Sequence, residues 1–211
     1  MLDGVVHVVR WDVDRQADLV LGELFDLGGH LAALNQLGSL RRVDVETAIR
    51  ARRTHKQYGP KAVDERVVRE LVELARWAPN HKLTNPWRFR LLGPETRERI
   101  DALVSEQEVA KLRRAPTLLL VTTVPSDDPV LAREDVQATA AAVYALLLGA
   151  TARGLGSYWR TPACLDEPAV RAVLGLAPDE VIVSLVHLGQ PASDPPPKER
   201  LPVEDVFSVL P

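Results

Sequence analysis

Ala78-Pro79-Asn80-His81-Lys82-Leu83-Thr84-Asn85-Pro86-Trp87-Arg88-Phe89 marks a corner between two kinds of structure. Before it, Val67, Val68, Leu71, Val72, Leu74 and Ala75 recur at three-to-four spacing between Asp64 and Trp77, which predicts a helix with one buried stripe. After it, Trp87 to Leu92 reads as a strand, so helices and strands share the chain. Pro79 stops the helix, and the polar side chains that follow lie between two prolines. Every amide and backbone group in such a loop needs a partner. A polar corner between a helix and a strand is therefore a candidate ligand loop.

Upstream, Asp44 can cap a helix whose apolar positions Val45, Ala48, Ile49 and Ala51 lead into the cations Arg50, Arg52, Arg53 and Lys56, with Thr54 and His55 among them. Tyr58-Gly59-Pro60 ends that helical run, because proline disfavours helix in the residue before it. Residues 1–43 read as an extension with two short helices and no chemistry. Downstream, Thr96 to about Arg113 reads as a helix, and Thr117–Thr123 as a central strand buried on both faces. Leu131 to Arg153 is a long helix, apolar almost all round after Asp135, to be enclosed by other elements or a second subunit. Asp166 can cap a short helix through Leu174, and Val181 to Leu188 is a last buried strand. Prolines 191, 195, 196 and 197 then hold an extended path that puts Lys198 and Arg200 on one face.

Composition bounds the class. A chain of 211 residues, 46% hydrophobic and 26% charged, is an ordinary globular protein with room for one sizeable core. Its net charge of −3 gives no general attraction for nucleic acid or an anionic membrane, so neither is an expected partner. The start lacks the pattern of a signal peptide, and the uncharged run from Val136 to Ala152 is shorter than a membrane span. Cys164 is the single cysteine, which leaves no intrachain disulfide. A cytoplasmic protein is expected.

Three separated stretches carry convergent polar groups: Arg52 to Lys56, Asn80 to Asn85, and Lys198 with Arg200. The first and third suit a phosphorylated small ligand, since arginine's planar fork binds phosphate through two bonds. The competing reading is a solvated helix end whose cations favour the helix C-terminus. His81 has no second ligand at metal spacing, so no metal site is expected. Gly154-Leu155-Gly156 follows a helix and lacks the third glycine of a dinucleotide fingerprint. Trp159-Arg160-Thr161, in a loop after those glycines, either offers an aromatic and a guanidinium to a ligand or packs.

The run Ala51-Arg52-Arg53-Thr54-His55-Lys56-Gln57-Tyr58, followed by the opening stretch, resembles the nitroreductase family of FMN-dependent oxidoreductases, in its compact branch of NAD(P)H nitroreductases. Glu134-Asp135, Gly154-Leu155-Gly156-Ser157, Trp159-Arg160-Thr161 and Lys198-Glu199-Arg200-Leu201-Pro202 agree in order and spacing, so the resemblance covers residues 44–202. Thr54, Leu83, Asn85 and Pro162 depart from the family's usual residues.

The resemblance implies an α+β fold, a three-layer α/β/α arrangement with a mainly antiparallel sheet, and an intertwined homodimer with shared active sites. It implies FMN as cofactor and NAD(P)H as electron donor. Electrons would pass by a ping-pong mechanism to a nitroaromatic, quinone or related acceptor. Carried over by position, Arg52, Arg53, Thr54 and Lys56 would hold the phosphate, ribityl chain and pyrimidine edge. Asn80, His81 and Asn85 would come from the other subunit. Trp159, Arg160 and Thr161 would add contacts, and Lys198 and Arg200 would complete the phosphate site. The flavin does the chemistry, so no side chain is named catalytic. The alternatives are a flavin enzyme of the same fold with another reaction, such as reductive dehalogenation or oxidation of a bound substrate, or a flavin-binding protein that stores or senses FMN without turnover.

Overall fold

The seven residues Thr117–Thr123 form strand β2, and all of them are buried. A strand with helices over both faces has no wet side for polar residues. The computed structural model describes residues 43–211, so the extension expected over residues 1–43 lies, apart from Val43, outside the described residues. The sheet has the order β1-β2-β4-β3, with β1 at Trp87–Leu91, β3 at Gly156–Arg160 and β4 at Val181–Gly189. Each pairing is antiparallel: Trp87 lies opposite Thr123, Thr117 opposite Leu188, and Gly156 opposite Gly189.

Six helices flank the sheet among the described residues: α1 Val45–Ala51, α2 Glu65–Ala75, α3 Pro94–Asp101, α4 Glu106–Leu112, α5 Pro129–Ala152 and α6 Pro168–Val173. On one face Leu71 and Ala75 of α2 and Val143 and Leu146 of α5 pack over Leu119, Val121, Val186 and Leu188. On the other, Ile100 of α3, Leu112 of α4 and Val170 of α6 cover Leu118, Leu120 and Leu185. Each fully buried leucine contributes ~1.5–3 kcal/mol, and these two clusters hold the three layers together. Side-chain caps begin four of these helices, while α3 and α6 instead start with proline in the first turn. Asp44 accepts from Thr47 N at 2.9 Å, Asp64 from Arg66 N at 2.8 Å, and Asp128 from Val130 N at 2.8 Å.

Four local expectations change. The first helix ends at Ala51, not at Tyr58, because the next residues pair with the sheet instead: Thr54 bridges Ser157, and His55 N donates to Ser157 O at 3.0 Å. The helix expected over Thr96–Arg113 is two, α3 and α4, with Ser105 capping the second. On one straight helix Ile100 and Leu112 would point about 120° apart. The break lets both reach the same core, where they are buried. Trp159 and Arg160 lie in strand β3, not in a loop. The short helix is capped at Glu167 and starts with Pro168, while Asp166 belongs to a preceding 3-10 turn.

Candidate functional site

Extended backbone after α1 creates the first candidate region. Arg52 leaves the helix with ψ 125, and the chain then runs along the β3 edge and past the end of β4. There Gly59 N donates to Gln190 O at 2.9 Å and Ala192 N to Gln57 O at 3.1 Å. This places residues 52–57 beside the proline-rich segment that carries Lys198 and Arg200. Between them lies a groove of about 770 Å³, within the range of small-molecule sites. Arg52, Arg53, Thr54, Lys56, Lys198 and Arg200 all line it, together with His55, Tyr158 and Asp194. A second depression continues it past Arg50 and Glu46.

The groove's electrostatics favour an anion. Among the described residues, Arg52, Lys56, Lys198 and Arg200 form no ion pair with a carboxylate. Arg53 folds back, donating through Nη1 to the carbonyls of Arg50 and Arg52. His55, in the groove's lining, has a buried Nδ1 with no protein partner. Burial holds the His55 imidazole below its ordinary pKa, with Asp194 pulling the other way. A Cβ on Gly156 would stand 3.0 Å from the His55 ring and 3.2 Å from Pro191 Cβ, so glycine at the start of β3 lets both pack closely there. Cations unpaired among the described residues, an orphaned imidazole nitrogen and this volume fit the phosphate end of a mononucleotide such as FMN.

The polar loop is a separate candidate region. Lys82, Leu83 and Asn85 have φ of 52, 52 and 48, left-handed backbone at three non-glycine residues within four positions. Such backbone costs roughly 1–3 kcal/mol at Lys82 and Leu83, less at Asn85, and persists only where the surrounding structure offsets it. Inside the loop, Asn85 N donates to Asn80 Oδ1 at 2.9 Å and Asn85 Nδ2 to Leu83 O at 2.7 Å. Outside it, His81 Nδ1 lies 2.6 Å from Glu134 Oε2, and Thr84 Oγ1 donates to Asp135 Oδ1 at 2.6 Å. Asp135 is buried in α5, and its other oxygen accepts from Ser126 N at 2.9 Å and Ser126 Oγ at 2.6 Å. Burial pushes its carboxyl up, but the bonds from Ser126 and Thr84 outweigh that and hold it below the usual range.

The twelve residues expected at a site therefore occupy three places. The groove gathers Arg52, Arg53, Thr54, Lys56, Lys198 and Arg200; the loop holds Asn80, His81 and Asn85; β3 and its exit hold Trp159, Arg160 and Thr161. Strand alternation sends Trp159 and Arg160 to opposite faces of the sheet. Trp159 packs against the α2/α5 core with Nε1 donating to Val183 O at 3.1 Å, while the Arg160 guanidinium lies 5.8 Å from the Tyr158 ring centroid. Thr161 is exposed. The motifs pass over Tyr158, which alternation would have aimed toward the groove side, and the buried anchor role of Asp135, which only its partners reveal.

Groove and loop do not meet within one chain. The groove adjoins Gly156 and Gly189, whereas the loop enters β1 at Trp87, opposite Thr123, on the other edge and at the other end of the sheet. Six residue steps of β2 separate the two ends by about 20 Å, and α5 from Glu134 to Ala152 spans about 27 Å.

The model of the nitroreductase family matches residues 49–111 and 107–190. YfhC of Bacillus subtilis (strain 168), which carries the provisional name NAD(P)H nitroreductase, is 28% identical over 178 residues, covering 77% of this chain and 92% of that protein. Among solved structures, a nitroreductase-like family protein from Bacillus cereus superposes with a TM-score of 0.71 at 27% identity, covering 79% of this chain and 96% of that one. A nitroreductase-like protein from Desulfovibrio desulfuricans, solved in complex with FMN, gives a TM-score of 0.66 at 27% identity, with the same coverage of 79% and 96%.

Proposed function

The chain belongs to the nitroreductase family, and from that premise we propose that it is an FMN-dependent oxidoreductase passing electrons from NAD(P)H to a nitroaromatic, quinone or related acceptor. The observation that carries this is the groove on the β3 edge, where Arg52, Arg53, Lys56, Lys198 and Arg200 converge on one depression. When bound there, FMN supplies the redox chemistry, taking electrons from the nicotinamide and delivering them to the acceptor in alternate half-reactions.

The chain's own residues bind and orient. Arg52, Arg53, Lys198 and Arg200 hold the phosphate, because guanidinium and ammonium groups bond its oxygens with charge assistance. Thr54 and Lys56, which line the same groove, would hold the ribityl chain and the pyrimidine edge. A positive charge at Lys56 favours negative charge arriving on the bound ring. Trp159 and Arg160 shape the strand, and exposed Thr161 is the contact this reading keeps from that trio.

The loop's Asn80, His81 and Asn85 reach the flavin from a second copy, since one chain holds them about 20 Å or more from its own groove. Further features support a homodimer. The Ala141, Tyr144 and Leu148 side of α5 remains partly exposed although the opposite side is buried, and Leu201, Val206, Phe207 and Leu210 are each at least 65% exposed. Large apolar surface of this kind marks an interface. In this reading residues 44–211 are the FMN-binding domain, 1–43 an N-terminal extension, and the enzyme is cytoplasmic with Cys164 reduced.

Purification tests the function. The expected protein is yellow, loses its visible flavin absorbance with NADH or NADPH under anaerobic conditions, and regains it on adding a nitro compound. Bound flavin that neither nicotinamide reduces would point to storage instead, and a colourless protein that rejects FMN would sink the proposal.

A further inference from the structure

We infer that Asp135 is a positioning residue for the polar loop, acting through the Thr84 hydroxyl to hold the strained backbone that presents Asn80, His81 and Asn85. The inference rests on the reading of that loop as a flavin contact supplied by a second copy. Left-handed backbone at Lys82, Leu83 and Asn85 persists only where something outside the loop imposes it. The bonds between Asn80 and Asn85 and between Asn85 and Leu83 shape the loop, but they lie within it and move with it.

Three ties lead outward. Arg88 donates to Asn85 O at 3.0 Å from the very next strand, so it constrains only the exit. The His81–Glu134 pair has its side chains 55% and 35% exposed, where water competes with it. Thr84 alone reaches a buried carboxylate, and it sits between two of the left-handed residues. Asp135 can act as a fixed point because Ser126 grips its second oxygen twice, while the Asp135 backbone belongs to α5, the helix at the centre of one core cluster. Loop and helix are 51 residues apart in sequence, so this single bond ties the loop's geometry to the core.

Thr84→Val tests the tie, since it keeps the side-chain shape, removes only the hydroxyl, and leaves both Ser126 bonds to Asp135. Thr84→Ser restores the hydroxyl. Amide hydrogen exchange of residues 80–85 is followed in full-length protein freed of FMN, alongside FMN titration and the visible circular dichroism of the bound flavin. The expected result for Thr84→Val is exchange about tenfold faster at 80–85 with the core strands unchanged, FMN bound about tenfold more weakly, and an altered flavin dichroism. Thr84→Ser should match the parent protein in all three. Unchanged exchange in Thr84→Val, or Thr84→Ser behaving like it, overturns the anchor. Faster exchange with unaltered FMN affinity and dichroism leaves the anchor standing and removes the loop from the flavin site.

Discussion

His187 is fully buried on β4, and neither ring nitrogen has a protein partner. The Tyr158 ring lies 5.8 Å away, and burial, reinforced by the charges of Arg160, Arg97 and Arg114, pushes its pKa down to about 3. In the unfolded chain it titrates near its ordinary 6.5. Between these values the unfolded state binds the extra proton, so stability is fully present above pH 6.5 and is lost as pH falls toward 3, by up to about 1.4 kcal/mol per pH unit. Denaturant unfolding of His187→Leu at pH 7 and pH 5 should show a smaller acid loss than the parent protein. Equal losses in the two proteins would remove His187 as a cause of acid lability. If the groove holds FMN as proposed, Arg52→Ala and Arg200→Ala would each delete a charge-assisted bond to phosphate, worth roughly 1.5–3 kcal/mol, and FMN should bind about tenfold to a hundredfold more weakly. Flavin titration unchanged in both variants would refute the phosphate assignment.

At the scale of elements, α2 packs against α5 at Gly149. A Cβ at Gly149 would stand 2.6 Å from Leu74 Cδ1 and 3.1 Å from Leu71 Cδ2. Leu74 is 41% exposed and can swing aside, and alanine gains up to ~1 kcal/mol of helix propensity over glycine, so Gly149→Ala should be near neutral. Gly149→Val drives a second branch into fully buried Leu71 and should cost about 1–3 kcal/mol, read as a lower thermal midpoint. A midpoint for Gly149→Val equal to that of Gly149→Ala would mean that the helices part freely. A second element-level pin joins β1 to the start of β4: Arg90 grips Glu180 through both nitrogens, and the Thr122 hydroxyl donates to the same buried carboxylate. Arg90→Leu strands that charge and should destabilise by about 3 kcal/mol. Restoration of stability by adding Glu180→Leu would show that the unpaired carboxylate, not the lost arginine packing, causes the loss.

For the whole molecule, the diagonal separation of groove and loop gives a test that depends on the assembly alone. A hybrid dimer is made from one Arg52→Ala chain and one His81→Ala/Asn85→Ala chain. If each site joins one chain's groove to the other's loop, the two defects fall in the same site and the second site is intact. The hybrid should bind one FMN per dimer with the parent affinity, measured by titration after tandem-tag purification. If each site lay within one chain, both sites would be weakened and no parent-affinity binding would remain.

The amino-acid sequence alone determined the elements whose cause is local. The stripe of α2, the nearly all-apolar β2 and the cap at Asp44 follow from period and side-chain chemistry, and the motif order pointed to the family. The cationic stretches at 52–56 and 198–200 stood out in the sequence as candidates for an anion, Thr54 came only with the family resemblance, and the fold sets all six beside one groove. Tertiary structure decided the rest. It ended α1 at Ala51, since pairing with Ser157 outcompeted another turn of helix, and it broke the 96–113 helix so that Ile100 and Leu112 could share one core. It sent Trp159 and Arg160 to opposite faces, and it tied Thr84 to a carboxylate 51 residues away. Contacts at such separation leave no local pattern, because loop closure brings together residues whose neighbours in sequence carry no trace of the partner.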